Sequence, residues 1–127
     1  MQFPDDLRYT SDHEWVRLDD DGLATIGVTD YAQSELGDIG FVEIEAVGTE
    51  VEAEGSFGSV EAVKTVSELF APVAGTIEAI NDGLEDAPES VNSDPYGEGW
   101  MVKLRPTDAA SVEALMSAEE YKEMIGA

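Results

Sequence analysis

Lys64 is the residue best placed to do chemistry. It stands in the run Val60-Glu61-Ala62-Val63-Lys64-Thr65-Val66-Ser67-Glu68-Leu69-Phe70-Ala71-Pro72, one basic group inside a stretch rich in β-branched residues. β-branched side chains favour strands, where their stiff rotamers pack on a pleated surface. Two short strands meeting at Lys64 would leave its amine in solvent, open to a modifying protein. The plainer reading is a surface lysine that keeps an edge strand from pairing with other chains. Spacing alone favours the plainer reading, because exposed lysines are common and modified ones rare. Lysine is scarce here: six Lys and Arg face 29 Asp and Glu.

Other chemistries find few residues. His13 is the only imidazole and Cys is absent, which excludes a thiol nucleophile, a disulfide framework, a thiolate metal site and a His cluster. Ser11 and His13 form no triad spacing. Beside Glu14 and Trp15, His13 reads as a capping or packing residue. No Gly-x-x-x-x-Gly-Lys phosphate loop occurs. Asp19-Asp20-Asp21-Gly22 matches only the start of a calcium loop and lacks the later acidic ligand. Trp15 and Trp100 read as core or rim aromatics. The residues alone give an acidic, mostly β, non-catalytic domain with a lysine hairpin.

The length of 127 residues suits one domain with a modest core, and 43% hydrophobic residues suit a globular fold. No apolar run reaches the roughly 20 residues that span a bilayer. Residues 1–6 lack the basic and apolar regions of a signal peptide, and Asp5-Asp6 argues against a transit peptide. The net charge of −23 repels nucleic acid and anionic membrane. The acids are interleaved with apolar residues, so we expect a folded domain with an acidic surface. Such a surface suits a cytoplasm of very high salt, where the Debye length falls to about 3 Å or less.

The elements that must position Lys64 follow in order. Residues 7–10 and the alternating Glu14-Trp15-Val16-Arg17-Leu18 precede an Asp-rich turn and a second strand over 23–28, a predicted hairpin. Residues 29–37 read as a short helix with Thr29 as N-cap and Gly37 as C-cap. Residues 41–45 alternate as a strand. Residues 55–63 and 65–75 read as two arms with Lys64 at the tip. A strand over 76–80 follows, then a loop over 81–99 with a short helical piece near 88–91. Residues 100–104 form the last strand, stopped by Pro106. The tail from 107 is helical, and Ser117-Ala118-Glu119-Glu120 fits a capping box that divides it into two short helices.

Glu61-Ala62-Val63-Lys64-Thr65-Val66-Ser67-Glu68-Leu69-Phe70-Ala71-Pro72-Val73-Ala74-Gly75 resembles the lipoylation hairpin of the glycine cleavage H-protein family. His13-Glu14-Trp15 resembles the family's early His-Glu-Trp. Gly27-Val28-Thr29-Asp30-Tyr31-Ala32-Gln33 resembles its Gly-Ile-Thr-Asp-x-Ala-Gln, and Leu36-Gly37-Asp38 follows in place. Val91 to Trp100 resembles its Asn-x-x-Pro-Tyr…Gly-Trp segment. Four motifs in order over nearly the whole chain make the resemblance specific.

The resemblance implies a mainly β fold of the barrel-sandwich hybrid type. This is a flattened antiparallel β-barrel with a lipoyl hairpin, short helices and a helical C-terminal segment, in one lipoyl-carrier domain over residues 1–127. It implies lipoic acid in amide linkage to Lys64 and a non-catalytic monomer in the cytoplasm. Its implied partners are glycine decarboxylase, the P protein, which leaves an aminomethyl group on the lipoyl sulfur; aminomethyltransferase, the T protein, which passes the one-carbon unit to tetrahydrofolate; dihydrolipoamide dehydrogenase, the L protein, which reoxidises the dithiol; and a lipoate-attaching enzyme. By resemblance, Glu14 belongs to a cleft that shelters the aminomethyl group and can hold its ammonium.

Two positions depart from the pattern. Glu68 stands four residues after the lysine, where the family commonly has Asp, so a role in placing the arm falls to a longer side chain. Ala62 stands where Ser is frequent. Because high salt screens long-range steering, apolar contacts around Leu69 and Phe70 are expected to contribute to partner recognition. The competing readings are a lipoyl donor to other lipoate-dependent enzymes, a lipoyl or biotinyl domain of another complex, and an unmodified acidic interaction domain. Biotinyl hairpins usually flank the lysine with Met, unlike Val63 and Thr65. Acyltransferase lipoyl domains are shorter and lack the His-Glu-Trp start and helical tail.

Overall fold

The computed structural model describes residues 2–126. The strands are β1 (Arg8–Tyr9), β2 (Glu14–Leu18), β3 (Ala24–Val28), β4 (Ile39–Ile44), β5 (Glu50–Val51), β6 (Ser56–Ala62), β7 (Val66–Phe70), β8 (Gly75–Ile80) and β9 (Val102–Pro106). The helices are α1 (Asp30–Leu36), α2 (Gly83–Asp86), α3 (Ser90–Ser93), α4 (Ala110–Glu113) and α5 (Ala118–Ile125). The strands form a six-stranded sheet in the order β1-β2-β3-β9-β8-β5 and a three-stranded sheet in the order β4-β6-β7. All pairings are antiparallel.

One core joins the sheets. Val16, Ile26, Val28, Ile77 and Leu104 from the larger sheet pack with Val42, Phe57, Val60 and Leu69 from the smaller. This is the flattened two-sheet barrel that the family resemblance implies. Close backbone approach selects Gly75 on β8, where a Cβ would collide with the carbonyl of Arg105 on β9. A second cluster of Leu7, Tyr9, Trp15, Ala118 and Tyr121 seats α5 against β1 and β2. Trp15 is fully buried and its indole N–H donates to Pro95 O at 2.9 Å. Trp100 is a partly buried rim residue, with the Lys103 ammonium 5.5 Å from its ring centre.

Local signals account for the helix ends. The Thr29 hydroxyl accepts from Ala32 N at 3.1 Å, and Gly37 N donates to Gln33 O at 2.9 Å. Ser117 and Glu120 form both halves of the capping box, and Gly126 ends α5 at φ 77°. Several boundaries differ from expectation. α2 forms within the stretch read as loop, where Leu84 is buried and anchors a single turn. The last strand is shifted to Val102–Pro106, because Pro106 pairs with Gly75 as the end residue rather than stopping the strand before it. The Trp100 carbonyl is bound instead by the Asn81 side chain at 2.7 Å. The far arm of the lysine hairpin ends at Phe70, after which the chain crosses to the other sheet.

Among the 29 Asp and Glu residues, Glu14 alone is buried. The rest form an acidic shell around three ion pairs, Arg17–Asp19, Lys103–Asp19 and Arg105–Glu78, found among the described residues. Self-repulsion in this shell destabilises the compact state unless it is screened. We expect Tm to fall by more than about 10 °C between multimolar salt and dilute buffer, roughly 2–3 kcal/mol for a chain of this size. Thermal melts followed by circular dichroism test this, and equal Tm in both conditions refutes it. Among the described residues, no helix is long and apolar enough to cross a membrane.

Candidate functional site

The β6–β7 hairpin carries Lys64. Its register pairs Glu61 with Val66, Val60 with Ser67 and Ser59 with Glu68, leaving Val63, Lys64 and Thr65 as the connecting loop. Ala62 N donates to Thr65 O at 2.8 Å, closing the loop, and Val63 N donates to Asp38 O at 3.1 Å, pinning it to the segment before β4. Lys64 is exposed at the centre of this loop and has no ion pair among the described residues. Exposed hydrophobics flank it: Val63 is 83% accessible and Val66 60%. Phe41, which pairs with Glu61 across the sheet, is also exposed.

These are not the residues expected to form an apolar contact surface. Leu69 is buried in the core and Phe70 is half-buried. The reason is the period of two in a strand: Leu69 points inward and fills the space between the sheets. Val66, beside the turn, stays in solvent.

Next to the hairpin lies a cavity of about 320 Å³. Its walls come from β2 and the residues before it (Asp12, His13, Glu14), from α1 (Tyr31, Ala32, Glu35, Leu36) and from β7 (Ser67, Glu68, Leu69), with Val28 and Val60 also lining it. Two of the residues singled out in the sequence therefore meet here, Glu14 and Glu68. Lys64 is not part of the lining. Ser67 to Leu69 follow it by three to five residues, roughly 10–17 Å along an extended strand. Glu68 is exposed at the rim.

Glu14 is held differently. It is 2% accessible. Its Oε2 accepts from Phe70 N at 2.8 Å, whereas Oε1 is buried without a partner among the described residues. Burial pushes its carboxyl up to about 8; the Phe70 N–H opposes the rise, and the charge of Asp12 adds to it. Below about pH 8 the carboxyl is mainly protonated; once ionised, its free oxygen accepts from a donor, above all a cationic one.

Composition and spacing did not mark Asp12, Tyr31 or Glu35 as lining residues. They converge only in three dimensions, although Tyr31 lies within the Gly27–Gln33 motif. His13 caps no helix but has the expected packing role, against Tyr31 and Tyr121. Its backbone takes φ 66°, its ring lies 5.1 Å from that of Tyr31, and its Nδ1 is 2.9 Å from the Tyr121 hydroxyl. Asp19, in the turn that resembled a calcium loop, is occupied by Arg17, Thr25 and Lys103.

The profile of the glycine cleavage H-protein family matches residues 7–127. The glycine cleavage system H protein of Chlorobium phaeobacteroides (strain BS1) is 60% identical over 126 residues, covering 99% of both chains. That of Chlorobaculum tepidum is 61% identical over 127 residues, again covering 99% of both. The crystal structure of a glycine cleavage system H protein from Mycobacterium marinum superposes with a TM-score of 0.90 at 40% identity, covering 98% of this chain and 99% of that one. With its barrel, hairpin and helical tail matched from end to end, this chain belongs to the glycine cleavage H-protein family.

Proposed function

We propose that this protein is a non-catalytic carrier of the glycine cleavage system, with lipoic acid attached as an amide to Lys64 Nζ. The observation that carries this reading is the exposed lysine at the centre of a three-residue hairpin loop, in a chain of this family. An exposed loop lysine with no ion pair among the described residues can enter another enzyme's active site without breaking one. When attached, the lipoyl group supplies a disulfide that accepts a glycine-derived aminomethyl unit and a dithiol that carries electrons onward.

The cavity fits such a group. Val28, Ala32, Leu36, Val60 and Leu69 give apolar walls that keep water from a hydrolysable cargo. Glu14 Oε1, without a partner among the described residues, is an acceptor for an ammonium once the carboxyl has given up its proton. Glu68, at the rim, adds negative charge at the entrance. Val63 and Val66 provide apolar contact on both sides of the attachment point, and the tether raises the local concentration of the group at each partner. The partners are glycine decarboxylase, aminomethyltransferase, dihydrolipoamide dehydrogenase and a lipoate-attaching enzyme. The place of action is the cytoplasm.

Intact mass of the protein from its native cells, with peptide mapping over Lys64, tests the reading. We expect a lipoyl adduct on Lys64. A biotinyl adduct would assign the chain to carboxylases. An unmodified lysine, in cells that lipoylate other proteins, would overturn the carrier role.

A further inference from the structure

The carboxylates Asp12, Glu35 and Glu68 in the cleft lining only accept hydrogen bonds, and Glu14, raised to about 8, joins them above that pH. His13 also lines it, and His13 is tied to the far end of the chain. The Tyr121 hydroxyl on α5 lies 2.9 Å from His13 Nδ1 and 2.8 Å from Thr29 Oγ1. Thr29 Oγ1 in turn accepts from Ala32 N in the first turn of α1. Tyr121 and Thr29 are both fully buried.

Only one direction of this chain satisfies every buried hydroxyl when the imidazole is neutral. Ala32 N–H donates to Thr29 Oγ1, the Thr29 hydroxyl donates to Tyr121, and the Tyr121 hydroxyl donates to His13 Nδ1. In the opposite direction Nδ1–H donates to Tyr121 and Tyr121 to Thr29. The Thr29 proton then has no acceptor among the described residues in a buried site, at a cost of about 1–3 kcal/mol. Burial pushes the Tyr121 hydroxyl up to about 12, so it keeps the proton that this arrangement needs.

We propose that Tyr121 is a positioning residue that fixes neutral His13 as the Nε2–H tautomer and so presents a hydrogen-bond donor to the cleft. Nδ1 is committed to Tyr121, and Nε2 has no protein partner among the described residues. The donor complements the carboxylates: it can bind an oxygen acceptor of a guest, such as the amide carbonyl of a lysine-linked arm, while the carboxylates receive a cation. Its use toward an arm rests on the carrier reading; the tautomer does not.

His13 is the only histidine, so its ring nitrogens can be read without ambiguity by long-range 1H–15N correlation on the unmodified chain. At about pH 8.5 an ordinary imidazole is neutral. The expected spectrum shows Nε2 protonated and Nδ1 as a hydrogen-bonded acceptor. Tyr121→Phe keeps the ring stacked on Tyr9, at 4.9 Å between centroids, and removes only the hydroxyl. It should shift the Nδ1 resonance and allow the second tautomer to be populated, whereas Thr29→Ser should retain the native pattern. A protonated Nδ1 in the native protein overturns the proposal without any variant having to fold. So does a Tyr121→Phe spectrum with both nitrogen resonances unchanged. The outcome at Lys64 in the mass experiment is independent of both.

Discussion

Lys64→Arg is expected to reduce glycine–bicarbonate exchange, assayed with glycine decarboxylase and the lipoate-attaching enzyme, to the background seen without the protein. The guanidinium keeps the positive charge but stays protonated at any working pH and is not acylated. The fold should be unaffected, because Lys64 is exposed and makes no ion pair among the described residues; surface changes of this kind stay within about 0.5 kcal/mol. Circular dichroism and the thermal midpoint should therefore match the parent protein. If the chain were an unmodified interaction domain, Arg would serve as well as Lys, so full activity in the variant would refute the carrier reading. If it were a donor to other lipoate-dependent enzymes, the adduct would form on the parent protein while the exchange assay stayed at background for both.

Glu14→Gln should raise stability at alkaline pH and weaken the cleft as an ammonium site. The carboxyl of Glu14 is raised to about 8 in the folded protein from an ordinary 4.5. Between those values the folded state binds more protons than the unfolded chain, so its stability falls as pH rises and levels off above about 8. The full shift corresponds to a ceiling on the order of 4–5 kcal/mol. Glutamine keeps an oxygen for Phe70 N–H but carries no charge to desolvate. Unfolding free energies from urea titrations at pH 5 to 9 and constant high salt should converge for the two proteins at the acid end and separate by about a few kcal/mol at the alkaline end. Parallel curves would show that Glu14 titrates as an ordinary solvated acid. Glutamine also presents an amide where a carboxylate would receive a cation, so the stabilised variant should shelter an aminomethyl cargo less well.

What could be read from the residue string was local. Thr29 and Gly37 bracket α1 because capping depends on hydrogen bonds within one turn. The Ser117–Glu120 capping box lies within four consecutive residues. The lysine hairpin shows itself by β-branched runs on both sides of a short loop. The family motifs supplied Glu14 as a cleft residue, but not its bond to Phe70, 56 positions away. Nor could spacing indicate that Tyr121 reaches Thr29 across 92 positions. Leu69 and Phe70 were expected on the surface because an apolar pair beside a turn has no built-in direction; the register with β6 supplies it. The two-residue β5 and the single turn of α2 lie below the length at which periodicity carries information.

The order of the larger sheet sets the pace at which this molecule can assemble. β6 and β7 are joined by three residues and can pair as soon as both exist. β3 waits for β9, with Ile26 opposite Val102. Closing so long a loop costs chain entropy before any contact repays it, and all-β topologies of this kind fold in milliseconds to seconds. On a ribosome, the hairpin bearing Lys64 is complete while the strand that closes the larger sheet, and the α5 tyrosine that braces His13, are still unmade. An attaching enzyme that reads only the hairpin would find its target on a nascent chain, before the cavity beside the hairpin has formed.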